Sequence, residues 1–275
     1  MRLKISASSE RAVFIPVNYQ YQLHGSIYNL IQQSNRQYAD FLHNTGFSAD
    51  RTSMKKYKLF TFSRLKFFPF KFRGNGFYGV RRIEFVFSTA AEKNYEHLVY
   101  GLFSGGSMEL NFSENHCRFT VEQVESRREP SFEDRMKMLC LSPIAVSTSR
   151  EKGDGNGLEA HFLDYLNPAE KDKFCENIQH NLIHKYETLY RRKFEGDRKF
   201  LFRFDPDYLV ERQGKISKLI HFKNDIRIKA FKAPFTIEAD PELIKIGYQC
   251  GFGEKNSAGF GCVELVRTQK DAEGL

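Results

Sequence analysis

Apolar residues recur with two spacings along this chain, one typical of helices and one typical of strands. Ile27, Leu30 and Ile31 fall on one face of a helix that we predict from about 19 to 34. The runs LFTFSRLKFF and VRRIEFVFS instead alternate apolar and polar residues, as half-buried strands do. The chain therefore mixes helices and strands, and the order in which they follow one another decides the fold.

The first half begins with a strand, MRLKISAS, and continues into the helix from 19 to 34. A short helical piece, RQYADFLHN, ends near Gly46 and leads into a basic loop, SADRTSMKKYK. Two strands follow, and a helix from about Thr89 to Phe103 stops at the pair Gly105 and Gly106. The run SMELNFSENHCRFTVEQVES closes this half as one long predicted strand.

A polar, charged segment, SRREPSFEDR, separates two halves, which we predict to be domains 1–128 and 136–275. The second half starts with a strand, LCLSPIAVSTS, then a loop, EKGDGNG, and a long amphipathic helix. The strands KFLFRFD, SKLIHFK and DIRIKAFKAPFTIEA follow. Asp240 is a good N-cap for a helix with Pro241 at its first position. A glycine-rich loop, 247–261, and a strand, FGCVELVR, end the pattern.

Each half therefore follows the order β-α-β-β-α-β, which is the ferredoxin-like unit. We predict an α+β protein in which two tandem ferredoxin-like, RRM-like domains share one chain. An antiparallel sheet with helices on one face leaves its other face free. RNA-recognition domains use that free face.

Charge favours a polyanionic partner. Lys and Arg number 42 against 34 Asp and Glu, a formal net charge of +8. Phosphate neutralisation dominates nucleic-acid binding, although a solvated basic surface would have the same composition. Phe and Tyr number 27 and 13 and suit either β-rich cores or base stacking.

The cysteines and the termini favour a reduced cytoplasmic protein. Five cysteines, without a CxxC pair, indicate neither structural disulfides nor a cysteine-based zinc site. No secretory apolar stretch follows Met1, and no apolar run approaches the length of a membrane span. We therefore expect no membrane association.

The stretch GYQCGFGEKNSAGFGCVEL, residues 247–265, holds five glycines in its first fifteen positions. Nucleotide-binding glycines stand between a strand and a following helix, whose N-terminus faces the phosphate. Here a helix precedes the glycines and a strand follows, which argues against a nucleotide-dependent enzyme. Two interpretations of this stretch remain: a purely structural turn, or a loop that packs the two halves together or touches a nucleic-acid backbone.

Histidines supply two candidate sites. His180 and His184 have the i, i+4 spacing of zinc helices, but Asn181 replaces the Glu of a metalloprotease and no third ligand is evident. We therefore predict no metal site there. His24 and His43 are better placed, because Tyr28 follows His24 by one helical turn and lysines follow His43.

Such a His, Tyr and Lys set is sufficient for metal-free RNA cleavage. RNA carries its own nucleophile, the 2′-OH. The protein has to deprotonate this group, protonate the 5′-oxygen leaving group and stabilise charge on the phosphorane. The alternative is a packed tyrosine and an exposed histidine without a catalytic role.

Several motifs occur together in one order: NYQYQLHGSIYNLI after MRLKI, then FLHN, KLFTFS, LSPIAV and the terminal GYQCGFGEKNSAGFG. In this combination the chain closely resembles the CRISPR-associated repeat-processing endoribonucleases of the RAMP superfamily. The glycine-rich C-terminal loop is that family's best-known signature, and the resemblance covers nearly the whole chain.

The resemblance implies two tandem ferredoxin-like domains with a cleft between them that binds repeat RNA. It implies cleavage of the precursor transcript within each repeat, without metal or cofactor. The products would carry a 2′,3′-cyclic phosphate or 3′-phosphate and a 5′-hydroxyl. Precursor crRNA is the implied partner, and other CRISPR interference-complex proteins are further candidates.

By local match, the family's catalytic tyrosine falls on Tyr28, its histidine on His43 and its lysine on Lys58. His43 is then the principal acid-base, Tyr28 orients the 2′-OH, and Lys58 stabilises charge on the phosphate. Which of His43 and Tyr28 removes the first proton stays open. His24 is the reserve histidine, and the neighbouring lysines 55 and 56 are alternatives to Lys58.

RNA contacts are expected from basic side chains and from the glycine-rich loop. The candidates are Lys55, Lys56, Arg64, Lys66, Arg73, Arg81, Arg191, Arg192, Gly251, Gly253, Lys255, Asn256, Ser257, Gly259 and Gly261. We expect the loop to serve recognition and positioning, while the chemistry lies more than two hundred residues away along the chain. The competing hypothesis is a non-catalytic RNA-binding subunit of a CRISPR ribonucleoprotein.

Overall fold

The computed structural model describes residues 1–48, 55–113, 115–151, 157–223 and 226–266. Parts of two predicted loops, SADRTSMKKYK and EKGDGNG, lie outside these residues. The helices are α1 Gln20–Ser34, α2 Arg36–Asp40, α3 Glu92–Gly105, α4 Pro168–Tyr190, α5 Pro206–Glu211 and α6 Pro241–Cys250. The strands are β1 Arg2–Pro16, β2 Phe60–Phe62, β3 Lys66–Phe68, β4 Lys71–Arg73, β5 Gly76–Thr89, β6 Ser107–Asn111, β7 His116–Ser126, β8 Arg135–Cys140, β9 Ser147–Glu151, β10 Leu158–Phe162, β11 Leu201–Phe204, β12 Ser217–Lys223, β13 Ile226–Phe231, β14 Phe235–Glu238 and β15 Val263–Leu265.

The N-terminal half is an antiparallel sheet in the order β2-β5-β1-β7-β6, and β3 and β4 also pair with β5. Helix α1 packs against α3. The apolar stripe predicted for α1, including Leu23 and Ile27, is fully buried in a core that also holds Phe60 and Phe87. Because that stripe points inward, the opposite side of α1 remains available at the surface.

The C-terminal half has the sheet order β11-β14-β8-β15, with α4 and α6 as its two crossover helices. Numbered in chain order within this sheet, from β8 to β15, the four strands have the order 2-3-1-4 of a ferredoxin-like unit. Two hairpins and α5 are inserted. The half has a separate core that includes Phe174, Phe204 and Phe235. Two tandem ferredoxin-like units are thus confirmed. The segment 127–134 joins them, and the exact domain limits stay a prediction.

Helix ends follow the predicted chemistry closely. The Asp240 side chain accepts a hydrogen bond from the Glu242 amide, and Pro241 takes the first helical position of α6. Asn167 caps α4 in the same way. These caps satisfy amides that the first turn of a helix leaves without a partner.

Four predicted strands are wrong in extent, because each is interrupted. The run LFTFSRLKFF forms β2 and β3, and DIRIKAFKAPFTIEA forms β13 and β14. The run 107–126 is a hairpin, since the Phe112 amide donates to the Asn115 carbonyl between β6 and β7. The run 139–149 breaks after Cys140 because Pro143 lacks an amide hydrogen for a continuing ladder. Alternation alone misses such breaks, because the apolar pattern resumes on the far side of the turn.

No helix among the described residues is long and apolar enough to cross a membrane. All five cysteines carry free thiols, and four of them are buried. Burial raises the pKa of Cys250 to about 11, so this thiol stays protonated and packs as a small apolar side chain.

Candidate active site

Helix α1 presents His24 and Tyr28 side by side. Their i, i+4 spacing stacks the two rings along one face, with centroids 4.7 Å apart. Leu23 and Ile27 of the same helix are buried in the core, and this packing fixes the orientation of that face. Both rings are half-buried. They lie close enough to solvent for a ligand to reach and deep enough to be partly dehydrated.

His43 reaches the same cluster from a separate element. It lies on a π-helical turn, Phe41–Thr45, that follows α2, and its side chain is exposed. The Tyr28 and His43 rings meet edge to face, with centroids 6.2 Å apart. Lys58 lies next to them and donates a hydrogen bond from Nζ to the His43 carbonyl oxygen over 2.9 Å. The three predicted catalytic residues therefore lie together.

The tip of the glycine-rich loop completes the cluster with Ser257. His24 donates from Nδ1 to the Ser257 carbonyl oxygen over 2.7 Å, and the Ser257 side chain hydrogen-bonds with Tyr28. Because a carbonyl only accepts, the proton must sit on Nδ1 of His24. A neutral His24 then carries its lone pair on Nε2. The reserve histidine is thus part of the same cluster.

Partial burial shifts the proton equilibria of the cluster. It raises the pKa of Tyr28 to about 12, and the hydrogen bond with Ser257 offsets only part of this effect. It lowers the pKa of Lys58 to about 8. It also lowers the pKa of His24, in the same direction as the nearby charges of His43 and Lys58. At neutral pH Tyr28 is therefore a phenol, Lys58 is largely charged and His24 is neutral.

A hollow of about 310 Å³ opens beside Lys58, between the two halves. Lysines dominate its wall: Lys55, Lys56, Lys58, Lys185 and Lys255, with Glu254 as the acidic lining residue. Two polar atoms at this wall, Tyr57 Oη and Asn181 Oδ1, are buried without a hydrogen-bond partner in the described structure. The lysines, together with the Tyr57 hydroxyl as a hydrogen-bond donor, suit a phosphate-bearing ligand.

The glycine-rich loop packs the two halves together. Gly251, Gly253, Gly259 and Gly261 all have positive φ and are buried. A Cβ at Gly259 would lie 2.4 Å from the Phe62 ring of the N-terminal half. Only glycine allows this backbone to lie so close to β2. Lys255 is exposed at the tip, and Asn256 and Ser257 are half-buried there. The tip, rather than the glycines themselves, is therefore accessible at the surface.

Side chains from outside the loop hold it by its carbonyl oxygens. Gln20 Nε2 donates to the carbonyls of residues 258 and 259, and Thr61 Oγ1 donates to that of residue 260. Lys185 is 2% exposed, and its Nζ donates to the carbonyls of Gly251 and Gly253 over 2.6 and 3.0 Å. Burial lowers the pKa of Lys185 to about 7. These contacts fix where Ser257 meets His24 and Tyr28.

Sequence reasoning missed Gln20, Thr61 and Lys185 because each acts through a partner distant along the chain. A signal existed for Lys185, which lies three residues after Leu182 and seven after Ile178. A lysine on the buried stripe of an amphipathic helix is costly unless it has partners.

The remaining predicted RNA contacts lie away from the catalytic cluster. Arg64 and Lys66 line a second hollow. Arg81 donates to the Glu10 carbonyl oxygen, and the Arg191 guanidinium donates to the Ser48 carbonyl oxygen. Arg192 lies over the rings of two tyrosines, 186 and 190. Arg73 is exposed on β4. RNA contact by these residues stays a prediction.

Metal-ligand side chains do not gather in the described ranges, where no three His, Cys, Asp or Glu groups are placed to hold an ion. The pair His180 and His184 accordingly has no third partner there. Burial lowers the pKa of His184, with Lys55 and other charges as smaller causes.

Comparisons with known proteins cover both halves. Residues 14–125 match the family described as CRISPR-associated protein Cas6, N-terminal, and residues 127–265 match CRISPR associated protein Cas6, C-terminal. The chain is 32% identical to CRISPR-associated endoribonuclease Cas6 1 of Methanocaldococcus jannaschii, over 97% of this chain and 93% of that protein. It is 31% identical to CRISPR-associated endoribonuclease Cas6 of Pyrococcus furiosus, over 98% and 91%.

A solved structure titled CRISPR associated protein Cas6 superimposes with a TM-score of 0.75 at 32% identity. The superposition covers 97% of this chain and 99% of that one. Sequence and fold thus agree over both ferredoxin-like units and the glycine-rich loop. The chain belongs to the Cas6 family of CRISPR-associated endoribonucleases.

Proposed function

We propose that this protein cleaves CRISPR precursor RNA within the repeat to release crRNAs, and that His43, Tyr28 and Lys58 carry the reaction without a metal ion. One observation supports this most strongly. Tyr28 stands between the imidazoles of His24 and His43, within reach of Lys58, at the edge of a lysine-lined hollow. These are the groups that a metal-free phosphoryl transfer from RNA requires.

The proposed reaction is attack by the 2′-oxygen on the adjacent phosphorus. The 2′-OH gives its proton to a neutral imidazole, and the P–O bond to the 5′-oxygen breaks. The leaving 5′-oxygen takes its proton from the Tyr28 phenol, and the imidazolium formed in the first step returns a proton to Tyr28. The products are a 2′,3′-cyclic phosphate, open to hydrolysis to a 3′-phosphate, and a 5′-hydroxyl. Every proton and bond is accounted for by the RNA and the side chains.

Burial favours an imidazole over Tyr28 as the group that removes the first proton. Tyr28 has its pKa raised to about 12, so it is a poor base near neutral pH and acts as a hydrogen-bond donor. The base is therefore an imidazole, and the exposed His43 is the more accessible one. His24 binds Ser257 through Nδ1 and orients Tyr28. This assigns His43 as base and His24 as a positioning residue.

Lys58 supplies positive charge where the phosphorane forms. Its hydrogen bond to the His43 carbonyl ties the cation to the base. Lys55, Lys56 and Lys255, which line the same hollow, are proposed to hold neighbouring phosphates. Repeat RNA is the proposed partner. Other CRISPR interference proteins stay candidate partners, to be tested by co-purification with the full chain.

The test is cleavage of cognate repeat RNA in EDTA, with a matched RNA that carries a single 2′-deoxy sugar at the cut position. We expect cleavage of the first and none of the second, with a cyclic phosphate or 3′-phosphate on the upstream product. A requirement for a divalent ion, or cleavage of the 2′-deoxy RNA, would refute the mechanism. Tight binding without cleavage at any pH would indicate the non-catalytic RNA-binding subunit instead.

A further inference from the structure

Residues 64–82 form a basic and aromatic arm that the catalytic proposal does not use. We call this segment, which includes β3, β4 and the start of β5, the aromatic arm. It contains six Lys or Arg residues, six Phe or Tyr residues and no Asp or Glu. Such interleaving of rings and cations, with no acidic residue, is unusual for a plain solvated surface, which mixes both signs of charge.

Several rings of the arm face solvent. Phe68, Phe70 and Phe72 are 39%, 50% and 57% exposed. Phe70 and Phe72 rest on the Phe77 ring, with centroids 5.6 and 5.3 Å away, and Phe70 also meets the Phe67 ring edge to face. The Arg82 guanidinium lies 5.0 Å from the centroid of Phe68. Rings held this way have a free face on which another planar group can stack.

A hollow of about 410 Å³ lies at the base of the arm. Phe68 and Phe70 line it together with Arg64, Lys66 and Lys232. None of these three cations has a carboxylate partner within the described part of the chain. The hollow therefore combines unpaired positive charge with aromatic ring surfaces. A nucleotide is complementary to both, because its phosphate is negatively charged and its base is a flat ring.

The arm is anchored to the helix that carries the catalytic tyrosine. The Leu65 amide donates to Tyr19 Oη over 3.0 Å, and the Tyr19 and Phe67 rings meet edge to face. Tyr19 precedes Tyr28 by nine residues, or about 13 Å along a helix axis. RNA cut at Tyr28 can therefore reach the arm within a few nucleotides.

We infer that the aromatic arm is a second RNA-binding site, which stacks unpaired bases of single-stranded precursor RNA flanking the cut. The inference extends the proposed function and does not depend on the catalytic assignments. Stacking on exposed rings tolerates any base, and cations beside the rings hold the backbone. The arm then retains RNA whose sequence varies, while the catalytic cluster acts at one phosphodiester.

Charge complementarity decides against self-association as the role of this surface. Two copies meeting through the arm by twofold symmetry would bring six cations against six, and among the described residues only Arg82 of these has a carboxylate partner, Glu84 just outside the arm. A polyanion that also carries flat rings satisfies both features of the arm at once.

The test measures binding alone, by fluorescence anisotropy with an unstructured oligoadenylate RNA and an abasic ribose-phosphate strand of equal length. The parent protein should prefer the base-bearing strand. Phe70→Ala with Phe72→Ala should weaken oligoadenylate binding about tenfold per stacked base and leave the abasic strand nearly unaffected. Phe70→Tyr with Phe72→Tyr should restore binding, because tyrosine also stacks.

The control is Phe103→Ala on α3, outside the arm, which removes a ring that is 73% exposed. It should bind like the parent, and thermal unfolding should show all variants folded. Equal affinity of the parent for both strands would overturn the inference. The inference would also be overturned if the double alanine variant bound RNA like the parent but lost self-association in sedimentation. Failure of cleavage in EDTA would refute the catalytic proposal and leave this result intact.

Discussion

Two surfaces lie near α1 and differ in the groups they offer: the proposed catalytic cluster and the aromatic arm. The cluster joins the half-buried Tyr28 and Lys58 and the exposed His43 to Ser257 from the other half of the chain. The aromatic arm offers exposed rings and cations, all from one short stretch of the N-terminal half.

The difference shows what catalysis requires beyond RNA binding. Stacking and phosphate contact need only accessible rings and charges, which one hairpin can supply. Proton transfer needs pKa values moved towards the working pH, and the surrounding protein has to supply that partial burial. A site made by both halves can therefore tune its groups, whereas a site on a single exposed arm remains a holding surface.

The largest predicted effect is a loss of RNA cleavage when His43 is replaced. His43→Ala should lower the single-turnover cleavage rate by about 10² to 10⁴-fold, the usual range for a lost general base, and leave RNA affinity unchanged. His116→Ala, an exposed histidine on β7, is the matched control. Normal cleavage by His43→Ala with loss in His24→Ala would transfer the base assignment to the reserve histidine.

A second prediction concerns the loop that carries Ser257. Gly259→Ala places a Cβ against the Phe62 ring at φ +83°, so the tip has to move. We expect cleavage to fall by about tenfold and the free energy of unfolding by about 1–3 kcal/mol. Gly106→Ala at φ +60° has open space for its Cβ and controls for backbone strain alone. Equal rates in both variants would show that the loop does not position the cluster.

A third prediction sharpens the role of charge at the cut. Since the pKa of Lys58 is lowered to about 8, its positive charge is complete at lower pH and is lost as pH rises through that value. Cleavage should therefore decline above about pH 8 in the parent. Lys58→Arg keeps its charge and should remove this alkaline decline, with at most a few-fold loss at neutral pH. A decline that persists in Lys58→Arg would assign it to another group.

The smallest predicted effect is at the loop tip. Lys255→Ala should weaken RNA binding uniformly across sequences and reduce the slope of log affinity against log salt by about 0.7, the value for one phosphate contact on a single strand. Glu242→Gln, on the exposed first turn of α6, changes charge away from the hollow and should not lower the slope. An unchanged slope in Lys255→Ala would remove this lysine from the RNA contacts.

Much of the fold was readable from local patterns. The helical spacing of Ile27 and Ile31, the cap at Asp240 and the twice-repeated order of elements are short-range properties, and the structure has each of them. The extents of four strands were not readable. A hairpin and a continuous strand share the same alternation, and hydrogen bonds across the turn distinguish them.

The sequence by itself determined the tandem ferredoxin-like order, the basic charge and the candidates Tyr28, His43 and Lys58, because these depend on residue type and near neighbours. Only the tertiary structure decided that Ser257, more than two hundred residues later, binds both His24 and Tyr28. It also decided that Lys185 and Gln20 hold the loop in place. The glycines carry no chemistry themselves. They let two separately folded cores approach closely enough for one half to shape the proton equilibria of the other, and no local pattern encodes that contact.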